Sequence, residues 1–214
     1  MSSLYHHLAP GFVERLGAGF AFLPRFAEHV APELVEAVGA IAACAPFRRM
    51  ETPGGRRMSV AMTNCGACGW VSGRSGYRYA TADPHTGAPW PAMPELFSRL
   101  AAGAAERAGF SCFDPDVCLI NRYEAGSRLT LHRDSDELDF SAPIVSISLG
   151  LPALFQWGGH SRSDGTLQLE LRHGDALVWG GVDRLRYHGV LPLRDGDHPL
   201  LGRCRVNLTF RKAG

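Results

Sequence analysis

VCLINRYEAGSRLTLHRD (117–134) decides the fold class, since it holds two short strand-like runs separated by the turn residues EAGS. Six more runs of this kind follow, namely PIVSISLGL (143–151), ALFQWG (153–158), TLQLEL (166–171), DALVWG (175–180), LRYHGVL (185–191) and RCRVNLTFR (203–211). Eight such runs within about a hundred residues predict an antiparallel sandwich or barrel, and the eight-stranded double-sheet form is the jelly roll.

The first half of the chain has a different pattern, typical of mixed structure, with helices, loops and short strands. Apolar residues recur at helical spacing in APELVEAVGAIAACA (31–45) and PELFSRLAAGAAERAGF (94–110), which predicts two helices. Between them, residues 52–91 are rich in Gly, Pro, Ser and Thr, as in a lid or a binding surface. We expect one α+β, mainly β domain, with N-terminal helices and a substrate-recognition lid in about 1–115 and a jelly-roll catalytic core in about 116–214.

Composition limits the class of protein. With 45% hydrophobic and 20% charged residues, and no apolar run near the roughly 18 residues of a transmembrane helix, we expect a globular protein without a membrane segment. The stretch MSSLYHHLAPGF (1–12) lacks the regions of a secretory signal, and six cysteines without one favour reduced thiols and a cytoplasmic monomer. Cys65 and Cys68 form a CGAC motif without two further zinc ligands nearby, so we interpret them as incidental thiols.

Positive charge is concentrated in one segment of the chain. The net charge is only +1, which argues against a protein that coats nucleic acid through bulk electrostatics. Residues 48–79 nevertheless hold a single acid, Glu51, and a segment charge of +5. The arginines of this segment are Arg48, Arg49, Arg56, Arg57, Arg74 and Arg78. A solvated surface would also explain them, so the segment alone leaves phosphate binding open.

A histidine and an aspartate share one face of the second strand-like run. Side chains alternate along a strand, so His132 and Asp134 point to the same side as Thr130. His188, in the later run RYHGV, is the best placed third ligand for a metal. Two histidines and one carboxylate on one side of a metal leave three positions open, as in non-haem Fe(II) oxygenases. The alternative is a histidine and an aspartate that only hydrogen-bond to each other.

A second pair with the same spacing competes with the first. His173 and Asp175 occur in RHGD, where Gly174 separates two strand-like runs. This pattern is typical of a turn, so we expect this pair to be structural.

The last run presents an unusual polar face. Arg205, Asn207, Thr209 and Arg211 share one side of RVNLTFR, while its apolar residues share the other. Two guanidiniums on a strand with a core-like face require an anion, because a buried unpaired charge is costly and arginine binds carboxylates in a bidentate way. A dicarboxylate would satisfy both of them. The alternative is an edge strand with solvated arginines.

Taken together, these motifs closely resemble those of a known family. CLINRY, LTLHRDSDE, PIVSISLGLPALFQWGG, HGDALVWGG, RYHGV and CRVNLTFR look like the AlkB family of Fe(II)- and 2-oxoglutarate-dependent dealkylation-repair dioxygenases. The similarity extends into the first half through APFRRM, TPGG, MSVAMTNCG and PWPAMP. It implies a double-stranded β-helix, which is the jelly roll expected from the strand count.

The resemblance also implies a set of site residues. It places Fe(II) on His132, Asp134 and His188. It places 2-oxoglutarate in a site formed by Asn121, Tyr123, Arg205, Asn207 and Arg211, with Arg205 on the far carboxylate and Arg211 on the carboxylate next to the ketone. The matching substrate contacts are Trp70, Tyr77, Arg78, Tyr79, Asp136 and Arg162. Around Arg162, GGHSRSDGTLQ follows the family pattern only loosely.

The implied reaction is oxidative demethylation of N-alkylated bases in DNA, such as 1-methyladenine and 3-methylcytosine. It consumes O2 and 2-oxoglutarate and releases formaldehyde, succinate and CO2. Such bases are cationic and pair poorly, so flipping them costs less, which favours single-stranded or locally opened DNA. Trp70 would add a cation–π contact and Asp136 a negative charge, although a packing tryptophan and a solvated acid are the simpler interpretations. The alternatives are the same chemistry on RNA or protein, and a jelly-roll binding module with a vestigial site.

Overall fold

A computed structural model describes residues 12–214 of the chain, so the amino-terminal stretch considered above lies almost wholly outside the described residues. The strands are β1 (Glu14–Arg15), β2 (Phe20–Leu23), β3 (Ala61–Gly66), β4 (Gly69–Gly73), β5 (Gly76–Ala80), β6 (Val117–Tyr123), β7 (Leu129–His132), β8 (Ile144–Gly150), β9 (Ala153–Trp157), β10 (Leu167–Leu171), β11 (Ala176–Trp179), β12 (His188–Val190) and β13 (Arg205–Arg211). The α-helices are α1 (Ala31–Cys44) and α2 (Glu95–Arg107).

All eight predicted runs of the second half are strands, and they form the two sheets of a jelly roll. β6, β8, β11 and β13 lie in a seven-stranded antiparallel sheet, the major sheet. β7, β9, β10 and β12 form a four-stranded antiparallel sheet, the minor sheet. The prediction of a mainly β jelly-roll core is therefore confirmed. Of the described residues, no helix has the length and apolar composition needed to cross a bilayer.

The first half contributes more strand than the sequence indicated. β1 and β2 extend one edge of the major sheet beside β11, and β3 extends the other edge beside β6. All four residues of β2 are buried, so this strand lacks the alternation that marks a half-exposed one. β4 and β5 pair only with each other, and this hairpin, the lid hairpin, is the part of the predicted lid that leaves the sheets.

Both predicted helices form, and they cover the outer face of the major sheet. α1 has Pro32 in its first turn and buries Leu34, Val38 and Ile41, which recur every three or four residues. On β13, Val206, Leu208 and Phe210 pack into the same core cluster as these helices. The polar face of β13 therefore points the other way, into the space between the two sheets. This arrangement buries four polar side chains in the middle of the protein.

The two cysteines of the CGAC motif are placed differently from each other. Cys65 is buried in β3 directly opposite Cys118 of β6. Cys68 lies in the turn before β4, where burial, followed by the negative charge of Asp116, raises its pKa to about 11. A thiol that stays protonated is a poor metal ligand.

Candidate active site

The three predicted metal ligands converge at one end of the minor sheet. β7 and β12 are neighbours, and their register places His132 directly opposite His188. Asp134 follows β7 by two residues and turns back toward both rings. One ligand atom from each of the three side chains lies within 4.8 Å of the others, and this is the only such cluster of three among residues 12–214. The distances from Asp134 to the Nε2 atoms of His132 and His188 are 3.7 and 3.8 Å.

Both imidazoles are oriented for coordination by their outer nitrogen. Nδ1 of His132 lies 2.8 Å from the carbonyl oxygen of Thr130, and Nδ1 of His188 lies 3.1 Å from that of Arg186. An Nδ1–H that donates to a carbonyl leaves the lone pair of Nε2 facing the aspartate. Burial, followed by the neighbouring His132, lowers the pKa of His188 to about 4, so this ring is neutral at physiological pH.

Asp134 is held as a carboxylate in a buried position. Burial alone would raise its pKa, but the charge of Arg211 and then the two histidines outweigh burial and hold the pKa below its usual value. Nη2 and Nε of Arg211 donate to Oδ2 of Asp134 at 2.6 and 3.0 Å. Two imidazoles and one carboxylate, all oriented before metal arrives, fit Fe(II) with positions left for other ligands.

A second group of polar atoms shows where an anion binds. Arg205 is 1% exposed, and its Nη2 donates to Oγ of Ser148 at 2.8 Å. Its Nε and Nη1 have no hydrogen-bond partner, and neither has Oδ1 of Asn121. The guanidinium also lies 4.9 Å from the ring centre of Tyr123, which is its register partner across β13 and β6. An unpaired buried cation of this kind fits one carboxylate of 2-oxoglutarate.

The three candidate metal ligands and Arg205 line the same cavity. Its volume is about 580 Å³, within the range of small-molecule sites, and Asn121, Tyr123 and Arg205 line it together with the three metal ligands. Arg211 also lines it. A dicarboxylate anchored on Arg205 in this cavity would therefore share the space with the metal.

The remaining polar residues of β13 are engaged with their neighbours. Nδ2 of Asn207 donates to Oγ of Ser146 at 2.8 Å and to the carbonyl oxygen of Ile147 at 2.9 Å. Its Oδ1 accepts from the hydroxyl of Thr209 at 2.9 Å. Asn207 lines the cavity, but its amide is already satisfied, so it shapes the wall rather than offering free hydrogen bonds.

The mouth of the cavity carries an aromatic pair. The rings of Trp70 and Tyr77 stack on the lid hairpin with their centres 5.3 Å apart. Nε1 of Trp70 donates to Oδ2 of Asp136 at 2.8 Å, and all three residues line the cavity. Trp70 is only half-buried, and it packs against a cluster of buried core residues as well as lining the cavity.

Two neighbours that sequence reasoning missed fix this tryptophan. The buried side chain of Asn64 binds the backbone of Trp70 at both its N–H and its carbonyl, at 3.0 and 3.1 Å. Trp90 packs against Gly69, where a Cβ would come within 2.4 Å of its ring. Nothing in the local sequence distinguished Asn64 from an ordinary strand residue.

Three predicted substrate contacts lie outside the cavity wall. Arg78 is exposed on β5, and Arg162 is exposed in the turn before β10, beside a separate shallow groove. The hydroxyl of Tyr79 is directed to the buried acid Glu137, at 2.5 Å. Trp70, Tyr77 and Asp136 therefore line the cavity of the metal ligands. Arg78, Tyr79 and Arg162 do not.

The competing pair, His173 and Asp175, forms a turn as expected. Gly174 has φ of +84°, and its backbone bonds to Ser148 of β8. Asp175 accepts from the backbone N–H groups of Arg25 and Arg172 at 2.8 and 2.7 Å. This aspartate holds three segments together and lies outside the metal cluster.

We expect Asp175→Ala to destabilise the protein without affecting its metal site. The substitution leaves two backbone N–H groups without their acceptor, which costs about 1 to 3 kcal/mol of unfolding free energy. Urea denaturation measures that loss, and calorimetric titration with Mn(II) measures metal affinity. Loss of Mn(II) binding by a folded Asp175→Ala variant would show that the two pairs had been assigned wrongly.

Comparison with known proteins agrees with this geometry. A family model described as the 2OG-Fe(II) oxygenase superfamily matches residues 19–211. The chain is 56% identical over 201 residues to the alpha-ketoglutarate-dependent dioxygenase AlkB of Escherichia coli K12, covering 94% of this chain and 93% of that protein. It is 53% identical over 213 residues to the protein of the same name from Salmonella typhimurium, covering 100% and 98%. The solved structure of OsALKBH1 superimposes with a TM-score of 0.82 at 27% identity, covering 94% of this chain and 100% of that one.

A jelly roll with a His–Asp–His cluster beside an unpaired buried arginine defines an Fe(II)- and 2-oxoglutarate-dependent dioxygenase. Such enzymes use O2 and 2-oxoglutarate to oxidise a C–H bond of a second substrate. Within this class the chain belongs to the AlkB family, whose reaction is oxidative dealkylation. The predictions of the family, the enzyme class and the cofactors Fe(II), 2-oxoglutarate and O2 are thereby confirmed.

Proposed function

We propose that this enzyme demethylates N-alkylated bases, of the 1-methyladenine and 3-methylcytosine type, in single-stranded or locally opened DNA. The observation that carries the proposal is the pairing of Trp70 with Asp136 at the mouth of the cavity that holds the metal ligands. A flat aromatic face next to a carboxylate suits a flat cation, which is what a base becomes when a pairing-edge nitrogen is methylated.

Separate groups of residues would bind the metal, the 2-oxoglutarate and the base. Fe(II), when bound, supplies the oxidation of the methyl group with O2, and 2-oxoglutarate supplies two electrons as it becomes succinate and CO2. Arg205 would anchor the far carboxylate of 2-oxoglutarate, and neutral His188 with ionised Asp134 would hold the metal. Trp70 and Tyr77 would hold the base over the cavity. The hydroxylated methyl then leaves as formaldehyde, the proton of its hydroxyl is released, and the ring nitrogen regains its lone pair.

A rim of unpaired arginines supports binding to a nucleic acid backbone. Arg56, Arg57, Arg128 and Arg133 are exposed, line the mouth of the cavity and form no ion pair with a described carboxylate. In contrast, three of the arginines suggested by charge alone are already paired, Arg48 with Asp83, Arg49 with Glu124 and Arg74 with Glu51. The phosphate contacts that we propose therefore centre on the four rim arginines.

This rim predicts a salt-sensitive affinity for DNA. Each phosphate contact of a single strand contributes about −0.7 to the slope of log affinity against log salt, so four contacts give a slope of about −3. We expect Arg56→Gln combined with Arg57→Gln to reduce the magnitude of the slope by about 1.4 and to weaken binding for every sequence. Fluorescence anisotropy with a methylated oligonucleotide at several salt concentrations measures both effects. The control is Arg99→Gln, which changes an exposed arginine of α2. A slope near zero for the parent protein would contradict the phosphate role.

The charge of Asp136 predicts a preference between lesions. We expect Asp136→Asn to lower the ratio of kcat/KM for cationic 3-methylcytosine over neutral 3-methylthymine by about tenfold, since a carboxylate near the base favours its positive form. Asparagine retains an oxygen for the N–H of Trp70, so the tryptophan should stay in place. Formaldehyde release from oligonucleotides that carry either lesion gives the ratio, with exposed Asp195→Asn as the control. An unchanged ratio would remove Asp136 from lesion selection.

The nature of the polymer needs a direct comparison. The same chemistry on methylated RNA or on a methylated peptide is the alternative, and formaldehyde release from matched DNA, RNA and peptide substrates separates the three.

We further propose that the protein acts as a monomer in the cytoplasm. One chain supplies every residue of the site, and all six cysteines are free thiols, as is usual in a reducing compartment. Light scattering of the purified enzyme tests the monomer.

A further inference from the structure

One buried acid connects the lid hairpin to the iron ligand. The carboxylate of Glu137 is 1% exposed and lies three residues after Asp134. Its Oε1 accepts from the hydroxyl of Tyr79 on β5, and its Oε2 lies 3.0 Å from Nη2 of Arg184. Nε of Arg211 lies 3.4 Å from the same Oε1. A single carboxylate therefore touches the lid and two buried cations.

The two cations are the groups that hold Asp134 in place. Arg211 binds the side-chain carboxylate of Asp134, as described above. Nη1 of Arg184 donates to the backbone carbonyl of Asp134 at 2.9 Å. Glu137 and Asp134 together balance the charges of Arg184 and Arg211 in this buried cluster. Without Glu137, two cations would face one carboxylate, and Asp134 would be drawn from the metal toward them.

The lid is attached to the metal-binding loop at two adjacent residues. Trp70 and Tyr79 are directly opposite each other on β4 and β5. Trp70 bonds to Asp136 at the exposed mouth, and Tyr79 bonds to Glu137 inside the protein. Burial, only partly offset by the charge of Arg211, raises the pKa of Tyr79 well above its usual value, so its hydroxyl remains a donor.

We propose that Glu137 is a positioning residue that couples the place of the lid hairpin to the geometry of the iron carboxylate. Tyr79 then serves as the link from the hairpin to Glu137 and not as a contact to the substrate. The base-binding surface and the metal ligand are set by one hydrogen-bonded cluster, so a displaced lid also disturbs the metal site. This inference rests on the iron centre and not on the choice of nucleic acid.

The metal side of the coupling is tested without substrate. We expect Glu137→Gln to weaken Mn(II) binding by about 10- to 100-fold, the usual effect of removing a residue that orients a metal ligand. Calorimetric titration of the metal-free full chain with Mn(II) measures this affinity. The matched control is Glu170→Gln, a half-buried acid on β10 that is paired with Arg172 and lies outside the cavity, which should bind Mn(II) as the parent does.

The lid side is tested by Tyr79→Phe, which removes one hydroxyl and keeps the ring. We expect the amides of β4 and β5 to exchange with solvent at least about tenfold faster, since the hairpin loses its buried anchor. Mn(II) affinity should change by less than in Glu137→Gln, because Glu137 keeps both arginines. In the double variant, the effects on exchange should not add, since both substitutions break the same bond.

Either of two results would overturn the proposal. One is Mn(II) affinity in folded Glu137→Gln equal to that of the parent, and the other is unchanged exchange of β4 and β5 in Tyr79→Phe. Should Glu137→Gln not fold, the exchange result for Tyr79→Phe decides alone. Both measurements omit the oligonucleotide, so failure of the DNA proposal would leave them unaffected.

Discussion

Asp134→Ala is expected to abolish turnover and to weaken metal binding by more than about 100-fold. Removal of a residue that only orients a metal ligand weakens metal binding by about 10- to 100-fold, so removal of the single carboxylate ligand should weaken metal binding further. The aspartate is buried, and the Nε2 atoms of His132 and His188 lie 3.7 and 3.8 Å from its carboxylate. Formaldehyde and succinate release measure turnover, and calorimetric titration with Mn(II) measures affinity.

Loss of the fold must be separated from loss of the metal. Asp134→Ala also leaves Arg211 with only Glu137 as a counter-ion, and breaking a buried ion pair costs about 3 to 5 kcal/mol of stability. Asp134→Asn keeps an oxygen for Arg211 and removes only the charge. Both variants should lose metal, and Asp134→Ala should unfold more easily in urea than Asp134→Asn, because the alanine removes the hydrogen bonds to Arg211 as well as the charge. Parental activity in either folded variant would exclude Asp134 from the metal site.

Arg205→Met is expected to weaken 2-oxoglutarate binding by roughly 10²- to 10³-fold, as removal of one partner of a buried charge pair costs about 3 to 5 kcal/mol. Titration of the Mn(II)-loaded enzyme with 2-oxoglutarate measures this loss without turnover. Mn(II) affinity itself should be unchanged, because Arg205 does not touch His132, Asp134 or His188 in the hydrogen-bond network.

The same substitution has a second expected effect, on the stability of the ligand-free protein. Nε and Nη1 of Arg205 have no hydrogen-bond partner, and burial lowers the pKa of the guanidinium. The buried charge therefore lowers the stability of the folded, ligand-free protein. Replacing an uncompensated buried charge by an apolar side chain of similar length should leave the unfolding free energy unchanged or raise it. Exposed Arg172→Met is the control. Parental affinity for 2-oxoglutarate in Arg205→Met would show that its anchor lies elsewhere.

The fold was largely readable from local patterns. All eight strands of the jelly roll were visible as short apolar runs bounded by turn residues. The two-residue period of a strand also placed His132 with Asp134, and Arg205 with Arg211, on the correct faces. β2 was missed although other wholly buried strands, such as β11, were found, so burial alone does not explain it. β3 lies inside the Gly-rich stretch for which loops and short strands were expected, but neither its bounds nor its place in the major sheet was predicted.

The contacts of polar side chains were much harder to predict from the sequence than the strands were. Asp136 and Glu137 are adjacent acids in one loop, yet the first is exposed at the mouth and the second is buried beneath the metal site. Tyr77 and Tyr79 are two residues apart on one strand, yet one lines the cavity and the other bonds to Glu137. In the same way, Arg48 and Arg56 have the same charge, but only Arg48 meets a carboxylate.

The sequence by itself determined the two sheets, the identities of the metal ligands and the requirement of β13 for an anion. The sheets follow from the number and spacing of the apolar runs, and the pairing of His132 with Asp134 and of Arg205 with Arg211 follows from side-chain direction within one strand, which depends only on position along the chain. The tertiary structure decided which side chains meet across long separations, as Tyr79 meets Glu137 from 58 residues away and Arg211 meets Asp134 from 77. Such contacts depend on how the sheets and the lid hairpin pack against one another, and no periodicity within one segment encodes that distance.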